Sequence, residues 1–296
     1  MSILLRMRMK MNKADKKTAI ALDKFYTNPE ISQICYEVFV NFISNFTPTF
    51  SLIEPSAGDG AFMFDHVIGY DLHPERPGIM QHDFLDEKNT VQLYKKLIFP
   101  ASTIGNPPFG KKGALAIQFL NIALQNSNFV GFILPIQFRK FSCQNKILTG
   151  AKLVLDYDLP DDSFLLMGEK YDVRCCFQIW TMNDVQLPDL RLTVKPSTKH
   201  PDFEMYQYNR TTQAEKFFDY EWDFAVVRQG YHDYADLKFC KEECNKKQQW
   251  IFFKAKNKTV LERLKKIDFC KLSKKNTSTP GFGKADVVEE YSSLYD

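Results

Sequence analysis

The chain has 296 residues, of which 44% are hydrophobic and 25% are charged, a composition typical of a globular protein that folds without disulfide or metal staples. No stretch approaches the roughly 18 consecutive apolar residues of a membrane span, so the sequence predicts no membrane partner. The seven cysteines follow no regular framework and no signal-peptide pattern is present, so we expect an intracellular protein, cytoplasmic or, in a eukaryote, nuclear.

The net charge of +3 is a weak argument for a nucleic-acid partner, but the charge is unevenly distributed. Residues 238–284 contain 14 Lys or Arg against 4 Asp or Glu, which is a local excess of ten positive charges. Such a run is either a solvated face or a surface that binds phosphates. The Met-rich, basic segment 1–23 is expected to be flexible.

The first predicted elements are a helix and two strands. Apolar residues recur at helical spacing from Asn28 to Phe46, and Asn28-Pro29 supplies a cap followed by a proline in the first turn. A short apolar strand at residues 51–54 then runs into a glycine-bearing turn at residues 55–60. A second strand at residues 67–71 ends in an acid, Asp71.

Further strands and helices alternate along the next hundred residues. A boundary at residues 81–84 is followed by a strand that ends at residues 103–105 and leads directly into Asn106. Residues 115–125 form an amphipathic pattern, and residues 129–135 form a continuous apolar run of the buried-strand type. Two later strand candidates lie at residues 152–159 and 173–181.

This alternation predicts an α/β fold with a doubly wound, Rossmann-like sheet in a first domain of residues 24–185. Beyond residue 186 it fades into irregular segments rich in proline and aromatic residues, with one convincing helix at residues 258–267. We therefore expect residues 186–296 to form a smaller C-terminal region outside that sheet. Pro280-Gly281-Phe282-Gly283 within it is either an exposed recognition loop or a terminal turn.

The turn from Glu54 to Gly60 lies where a strand of an open α/β sheet ends, which is the place where such sheets bind ligands. It has neither the Lys-Ser/Thr ending of a P-loop nor the third glycine of the dinucleotide motif, so a ligand without phosphates fits it better. Asp71 follows Glu54 by 17 residues at the end of the next strand, where an acid can accept hydrogen bonds from a ribose diol.

Asn106-Pro107-Pro108-Phe109 is the most informative segment of the sequence. Two consecutive prolines hold the backbone extended and remove two amide donors, so the turn presents carbonyl oxygens and the side-chain oxygen of Asn106 as acceptors. Such a turn suits a substrate group that donates N–H bonds. A lone Asn-Pro-Pro would be an ordinary surface turn, but here it follows a strand, a glycine turn and an acid in this order.

Several successive segments together resemble the motifs of the amino-methyltransferases that use S-adenosylmethionine. With the cofactor loop first, the Asn-Pro-Pro-aromatic motif second and the target-recognition region last, their order is similar to that of the gamma class of DNA adenine methyltransferases. The resemblance therefore implies that residues 24–185 form the catalytic domain that binds S-adenosylmethionine and that residues 186–296 form the target-recognition region. The resemblance covers roughly residues 24–180. It is carried by Lys24-Phe25-Tyr26-Thr27, Glu54-Pro55-Ser56-Ala57-Gly58-Asp59-Gly60, Gly69-Tyr70-Asp71-Leu72, His82-Asp83-Phe84, Gly105-Asn106-Pro107-Pro108-Phe109 and Gly131-Phe132-Ile133-Leu134-Pro135.

The resemblance implies a seven-stranded methyltransferase sheet with S-adenosylmethionine as the cofactor. Tyr26 and Thr27 would help to enclose the cofactor, and Asp71 would hold its ribose hydroxyls. Asp83 would accept a bond from its adenine amino group, with Phe84 beside the ring. The full set of cofactor-binding residues implied in this way is Tyr26, Thr27, Glu54, Ser56, Ala57, Gly58, Gly60, Asp71, Leu72, Asp83, Phe84 and Asn106.

The resemblance also implies methyl transfer to the N6 amino group of adenine, most naturally in double-stranded DNA with the base flipped out of the stack. Asn106 and the Pro107 carbonyl would accept hydrogen bonds from the target amine, in a motif completed by Pro108 and Phe109. Phe109, where the family more often has Tyr, would stack on the base, with Phe164 as a second stacking ring. The basic residues after catalytic segments either hold flanking phosphates or are solvated, and they are Lys111, Lys112, Arg139 and Lys140.

Other functions remain open at this stage. A relative of the same fold could modify RNA adenine or a protein glutamine amide, but glutamine-modifying relatives usually carry an extra domain ahead of the cofactor motif, whereas here about fifty residues precede it. A catalytically silent nucleic-acid-binding subunit is a further alternative. No metal site is expected, because Cys240, Cys244 and His232 lack a second pair at ligand spacing. The sequence indicates no particular oligomeric state.

Overall fold

The computed structural model describes residues 26–160, 162–166, 169–171, 173–276 and 279–296. The basic segment 1–23 predicted to be flexible lies outside the described residues, as do Lys24, Phe25 and Asp161. The chain divides into two compact units, Met1–Leu192 and Thr193–Asp296.

The first unit alternates strands and helices in the way that the sequence predicts. Its elements in chain order are β1 (Tyr26–Thr27), α1 (Pro29–Ile43), β2 (Ser51–Glu54), β3 (Val67–Asp71), β4 (Met80–Gln81), α2 (Glu87–Lys95), β5 (Ala101–Gly105), α3 (Ala114–Asn126), β6 (Phe129–Pro135), α4 (Phe141–Gln144), β7 (Lys152–Asp158), β8 (Phe164–Leu166), β9 (Glu169–Tyr171) and β10 (Cys175–Thr181).

Seven of these strands form one sheet in the order β4-β3-β2-β5-β6-β10-β7. The strands from β4 to β6 are parallel, and β10 pairs antiparallel with both β6 and β7. The order reverses direction between β2 and β5, so the loops after these two strands diverge and leave a crevice between them. The predicted Rossmann-like, seven-stranded α/β fold is confirmed. The short strands β1, β8 and β9 form a separate antiparallel sheet.

Local sequence explains how the central elements begin and pack. The Asn28 side chain accepts a hydrogen bond from the backbone N–H of Glu30 at 3.1 Å, and Pro29 starts the helix where no backbone donor is needed. All seven residues of β6 are buried, as its continuous apolar sequence requires. A side-chain carbon at Gly131 would lie 2.5 Å from the ring of Phe39, so this glycine lets α1 pack closely on the sheet.

The two units divide after Leu192, seven residues later than the boundary expected from the sequence. The physical reason is a set of hydrogen bonds that ties residues 189–192 to the first unit. Asp189 accepts from the Leu153 N–H at 3.0 Å, and Leu192 donates to the Gln144 side chain at 2.7 Å. The Arg191 guanidinium donates to four backbone carbonyls, those of Gln144, Ile147, Leu148 and Ala151.

The second unit contains a regular sheet that the sequence reading left as irregular segments. Its strands form an antiparallel sheet in the order β11-β13-β12, and the helix expected at residues 258–267 is present. An aromatic core that includes Trp250, Phe252 and Phe253 fills the unit. Its main elements are β11 (Phe203–Tyr208), β12 (Phe224–Gln229), β13 (Gln249–Ala255), α5 (Lys258–Lys265), α6 (Phe269–Ser273) and α7 (Lys284–Tyr295).

None of the helices in the described part of the chain combines the length and the apolar character that a membrane crossing requires. Within the same residues, no three His, Cys, Asp or Glu side chains come together as a metal-binding group.

Candidate functional site

The glycine turn after β2 is anchored to the neighbouring strand. The backbone N–H of Gly58 donates to Asp71 Oδ2 at 2.8 Å, and the Ala57 N–H donates to the Tyr70 carbonyl at 2.9 Å. Gly58 and Gly60 have φ angles of 49° and 92°, a region that side chains with a Cβ rarely adopt. The turn therefore holds its backbone close to the end of β3.

Glu54, at the end of β2, is a buried carboxyl group. Its Oε1 accepts bonds from the backbone N–H and the hydroxyl of Ser56 at 3.0 and 3.2 Å, whereas Oε2 is buried without a hydrogen-bond partner among the residues that the structure describes. Burial raises the pKa of Glu54 to about 8, and the charge of Asp71 acts in the same direction, against the two bonds from Ser56. A buried acceptor without a partner is costly, so Oε2 is a natural place for a donor of a bound ligand.

Glycine at position 105 is required by this carboxyl group. A side-chain carbon at Gly105 would lie 2.0 to 2.3 Å from the carboxyl atoms of Glu54, far inside van der Waals contact. At Gly105, the Glu54 carboxyl group therefore fills the space between the ends of β2 and β5.

Asp71, at the end of β3, accepts two backbone N–H groups. Gly58 donates to Oδ2 at 2.8 Å and His73 donates to Oδ1 at 2.7 Å. Because an ionised carboxylate has about four acceptor positions, roughly two remain for a ligand. The orientation of the carboxylate is set by backbone atoms and does not depend on any flexible side chain.

Asn106 follows β5 and contacts both the glycine turn and β1. Its Nδ2 donates to the Thr27 hydroxyl at 3.1 Å, and its backbone carbonyl lies 3.2 Å from the Ser56 hydroxyl, whose single proton is shared between this carbonyl and Glu54 Oε1. The first bond fixes the plane of the side-chain amide. Thr27 is itself placed by the pairing of β1 with β8, so three separate segments determine where the amide lies.

These segments enclose a cavity of about 430 Å³ at the carboxyl end of the sheet. Its volume is within the usual range for a small-molecule site. All but one of the predicted cofactor-binding and catalytic residues line it; the exception is Gly60. The predicted residues on its wall are Tyr26, Thr27, Glu54, Ser56, Ala57, Gly58, Asp71, Leu72, Asp83, Phe84, Asn106, Pro107, Pro108 and Phe109.

Asp83 and Phe84 lie on the side of the cavity formed after β4. Asp83 Oδ1 accepts from the Leu85 N–H at 3.0 Å, so one oxygen is held by backbone and the other, Oδ2, is available to a ligand amine. Phe84 is buried, and its ring packs on Phe119 with centroids 5.1 Å apart. This packing fixes one apolar wall of the cavity.

Phe164 does not line the cavity, in contrast to its predicted stacking role. It is fully buried, and its ring packs edge-on against Phe109, with centroids 6.1 Å apart and an interplanar angle of 87°. Phe109 itself lines the cavity. The physical reason is the pairing of Phe164 with Thr27 in the small sheet, which directs β8 behind Phe109. In this structure Phe164 supports Phe109 and has no surface to offer a base.

The predicted phosphate contacts are also placed outside the cavity lining. Lys111 and Lys112 are exposed on a short 3-10 turn directly after the Asn106 motif, which agrees with a flanking position. Arg139 is instead engaged by acids of β7, because its guanidinium donates to Asp156 at 2.9 Å and to Asp158 at 2.6 Å. Arg139 therefore already has two carboxylate partners, and its contact with a flanking phosphate stays a prediction.

Glu75, which lines one side of the cavity, was not predicted from the sequence. The Tyr26 hydroxyl donates to Glu75 Oε2 at 2.7 Å, and both residues line the cavity. Burial and this bond raise the pKa of the Tyr26 phenol. Glu75 stands in a loop with His73 and Arg76 and has no local sequence signal, because its role depends on a partner 49 residues away.

Most polar groups that line the cavity are hydrogen-bond acceptors, and each suits a different donor group of a ligand. Glu54 suits a cationic donor, Asp71 suits a pair of hydroxyls, and Asp83 suits an amine. Asn106 and the carbonyls of the two prolines stand at the end of β5. This arrangement suits a ligand that carries an ammonium group, a diol and an aromatic amine, together with a second molecule that donates N–H bonds.

No protein-family model matches the chain, and no curated protein matches it either. Among solved structures it is similar to a protein from Pyrococcus horikoshii described provisionally as an RNA methyltransferase, with 16% identity, 57% of this chain and 98% of that chain covered, and a TM-score of 0.35. It is also similar to the bifunctional kinase-methyltransferase WbdD, with 10% identity, 82% of this chain and 66% of that chain covered, and a TM-score of 0.31. At these TM-scores the likenesses carry no argument, so the activity is inferred from the chain's own residues.

Proposed function

We propose that this chain transfers a methyl group from S-adenosylmethionine to the N6 amino group of adenine in DNA. The observation that carries the proposal is the position of Asn106. Its amide, fixed by Thr27, lies on the wall of a cavity that also contains the buried carboxyl of Glu54 and the backbone-held carboxylate of Asp71. The resemblance of the motif order to the gamma class of adenine methyltransferases supports the same assignment.

The residues present fit S-adenosylmethionine. Glu54 Oε2, a buried acceptor without a partner in the described residues, would take the ammonium group of the methionine part. Asp71 would accept the ribose hydroxyls and Asp83 the adenine amine, beside the ring of Phe84. Tyr26, through its bond to Glu75, would cover the site. When bound, this group supplies an electrophilic methyl group.

Asn106 and the Pro107 carbonyl would act on the target amine. An exocyclic amine on a purine is a poor nucleophile, because its lone pair is delocalised into the ring. Two acceptors aimed at its hydrogens favour the form in which that lone pair is localised on nitrogen. Since the backbone of the proline turn cannot donate at two positions, these acceptors act as a preorganised electrostatic device, and no strong base is required.

A duplex substrate must have its adenine flipped out of the stack, at a cost of a few kcal/mol. Stacking on the ring of Phe109 would offset about 1–3 kcal/mol of that cost. Phe164 contributes indirectly, because its edge supports the Phe109 ring. Phe109 lines the cavity although only 9% of it is exposed, and it is the ring that would stack on the base.

The test is methyl transfer from S-adenosylmethionine carrying a tritiated methyl group to unmethylated genomic DNA, to transcribed RNA and to glutamine-containing peptides. N6-methyladenine, identified by mass spectrometry of digested DNA, is the expected product. Asn106→Ala should lower the rate by at least about a hundredfold while cofactor affinity stays within a few-fold, because the acceptor faces the target amine. Asn183→Ala, an exposed residue outside the cavity lining, is the matched control.

The other outcomes discriminate between the remaining functions. Product on RNA or peptide alone would replace DNA as the substrate while keeping the chemistry. No binding of S-adenosylmethionine in isothermal titration would indicate a silent subunit. Near-normal turnover by Asn106→Ala would show that the role assigned to Asn106 is wrong.

A further inference from the structure

The second unit contains a concavity of its own, of about 480 Å³, at one end of its sheet. We name it the glutamine cleft, because three glutamines line it together with basic and small residues. The lining residues are Arg210, Gln229, Gly230, His232, Lys247, Gln248, Gln249 and Thr279.

A hydrogen-bonded polar network fixes the floor of the glutamine cleft. Arg228 Nη1 donates to Gln249 Oε1 at 2.6 Å, and Gln249 Nε2 donates to Gln229 Oε1 at 3.2 Å. Beside it, the Gly230 N–H donates to the Pro280 carbonyl at 3.0 Å, which brings the Pro280-Gly281 turn against the end of β12. The segment that the sequence left as a loop or a turn therefore lies beside this cleft, whose lining includes the preceding Thr279.

The cleft has a surplus of positive charge and of hydrogen-bond donors. Among the described residues that line it, none has an acidic side chain. Arg210 and Lys247 are exposed, and neither forms an ion pair with any residue in the described part of the chain, whereas the adjacent Lys246 pairs with Glu215 at 3.4 Å. Arg228, which bonds to the lining residue Gln249, has its Nε buried without a hydrogen-bond partner in the same part of the chain. Unpaired cations and a nearby unsatisfied donor favour an anionic ligand.

An exposed aromatic ring stands beside these cations. Tyr231 is 81% exposed and lies between Gly230 and His232, which both line the cleft. Exposed aromatic rings next to basic residues are typical of surfaces that bind nucleic acid, because the ring stacks on a base while the cations contact phosphates. A free phosphate ion has no base on which the ring could stack.

We propose that the glutamine cleft binds the phosphodiester backbone of the nucleic-acid substrate, with Arg210 and Lys247 on phosphates and Tyr231 stacked on a base. The amides of Gln229 and Gln248 stand where they can reach base edges. This proposal rests on the proposed function, since it names a second surface for the same substrate.

The test is fluorescence anisotropy of the full chain with a labelled 20-nucleotide DNA duplex, the single strand and the matching RNA, across a salt series. The double variant Arg210→Gln/Lys247→Gln should weaken binding roughly tenfold, and the slope of log affinity against log salt should fall by about 2, because two phosphate contacts are lost. Tyr231→Ala should weaken binding about fivefold or more without changing the slope.

The matched control is Lys256→Gln/Lys258→Gln. It removes the same charge from exposed lysines at the other end of β13, about 20 Å along the seven-residue strand. Affinity and slope should remain those of the unaltered chain. Thermal unfolding and S-adenosylmethionine titration of every variant establish that folding and the first unit's cavity are intact.

The outcomes separate this proposal from the proposed function. Methyl transfer to DNA together with unchanged affinity and slope in Arg210→Gln/Lys247→Gln would overturn the glutamine cleft and leave the function standing. Binding that depends on the cleft, without any methyl transfer, would support the cleft and overturn the function. Absence of any DNA or RNA binding by the unaltered chain would overturn both.

Discussion

Replacing Glu54 with glutamine provides a sharp test of the site's electrostatics, because it removes an ionisable group and little else. The side chain is fully buried, and its Oε1 accepts two hydrogen bonds from Ser56 that a glutamine Oε1 can also accept. The substitution therefore keeps the shape and the known bonds. It abolishes ionisation at this position.

The magnitude follows from the pKa of Glu54, which is raised from 4.5 to about 8 by burial and by Asp71. Between these pH values the folded chain keeps a proton that the unfolded chain has lost. The free energy of unfolding therefore falls by about 1.4 kcal/mol for each pH unit in this window, which is about 4 kcal/mol between pH 5 and pH 8. A glutamine makes no such contribution. Relative to the unaltered chain, Glu54→Gln should gain about 4 kcal/mol over this interval.

Urea unfolding at pH 5, 6, 7 and 8 without S-adenosylmethionine measures this difference, with Glu37→Gln as the control for removal of an exposed carboxyl group. Stability curves of Glu54→Gln and the unaltered chain that run parallel from pH 5 to pH 8 would refute the reasoning. The same variant should bind S-adenosylmethionine at least about tenfold more weakly, because the acceptor of its ammonium is lost.

Three further changes test the rest of the cavity. Asp71→Ala should weaken S-adenosylmethionine binding by about tenfold or more in isothermal titration, because both the diol acceptor and the anchor of Gly58 are lost; unchanged affinity would contradict this. Gly105→Ala should lower the free energy of unfolding in urea by about 2–4 kcal/mol, because the new methyl group would lie 2.0 to 2.3 Å from the Glu54 carboxyl atoms. Unchanged stability would contradict this, since it would show that the ends of β2 and β5 can move apart at little cost. Phe109→Ala should weaken DNA binding by about 1–3 kcal/mol, whereas Phe109→Tyr should retain affinity, and equal affinities for all three chains would exclude stacking.

Much of the cavity could be predicted because parallel strands bring their carboxyl ends to one edge. Glu54, Asp71 and Asn106 each follow such a strand, so knowing the strand order is enough to place them together. Their residue types then indicate the chemistry. For these three residues, the strand order and the residue types are sufficient.

The sequence could not predict contacts that depend on antiparallel pairing between distant segments. Phe164 is directed behind Phe109 by its pairing with Thr27 across more than a hundred residues. Arg139 meets Asp156 and Asp158 because β7 returns beside β10 at the edge of the sheet. The periodicity of apolar residues indicates which positions are buried but does not give the strand register. Neither contact could therefore be predicted from it.

The second unit shows the same limit on a larger scale. The strands β11 and β13 carry aromatic residues at both odd and even positions, and β12 begins with a run of apolar residues, so none shows a clear alternation and the sequence suggested irregular structure. The register of this sheet also decides that Gln229 and Gln249 lie opposite each other and form the floor of the glutamine cleft.

The sequence by itself determined the α/β class, the order of the motifs and the chemistry available at the ends of β2, β3 and β5. These are local properties, since periodicity, turn residues and side-chain types need no distant partner. Only the tertiary structure decided which groups meet: the bond between Tyr26 and Glu75, the support of Phe109 by Phe164, and the unpaired cations of the glutamine cleft. Contacts between distant segments depend on strand register and side-chain packing, which arise only when the whole chain folds.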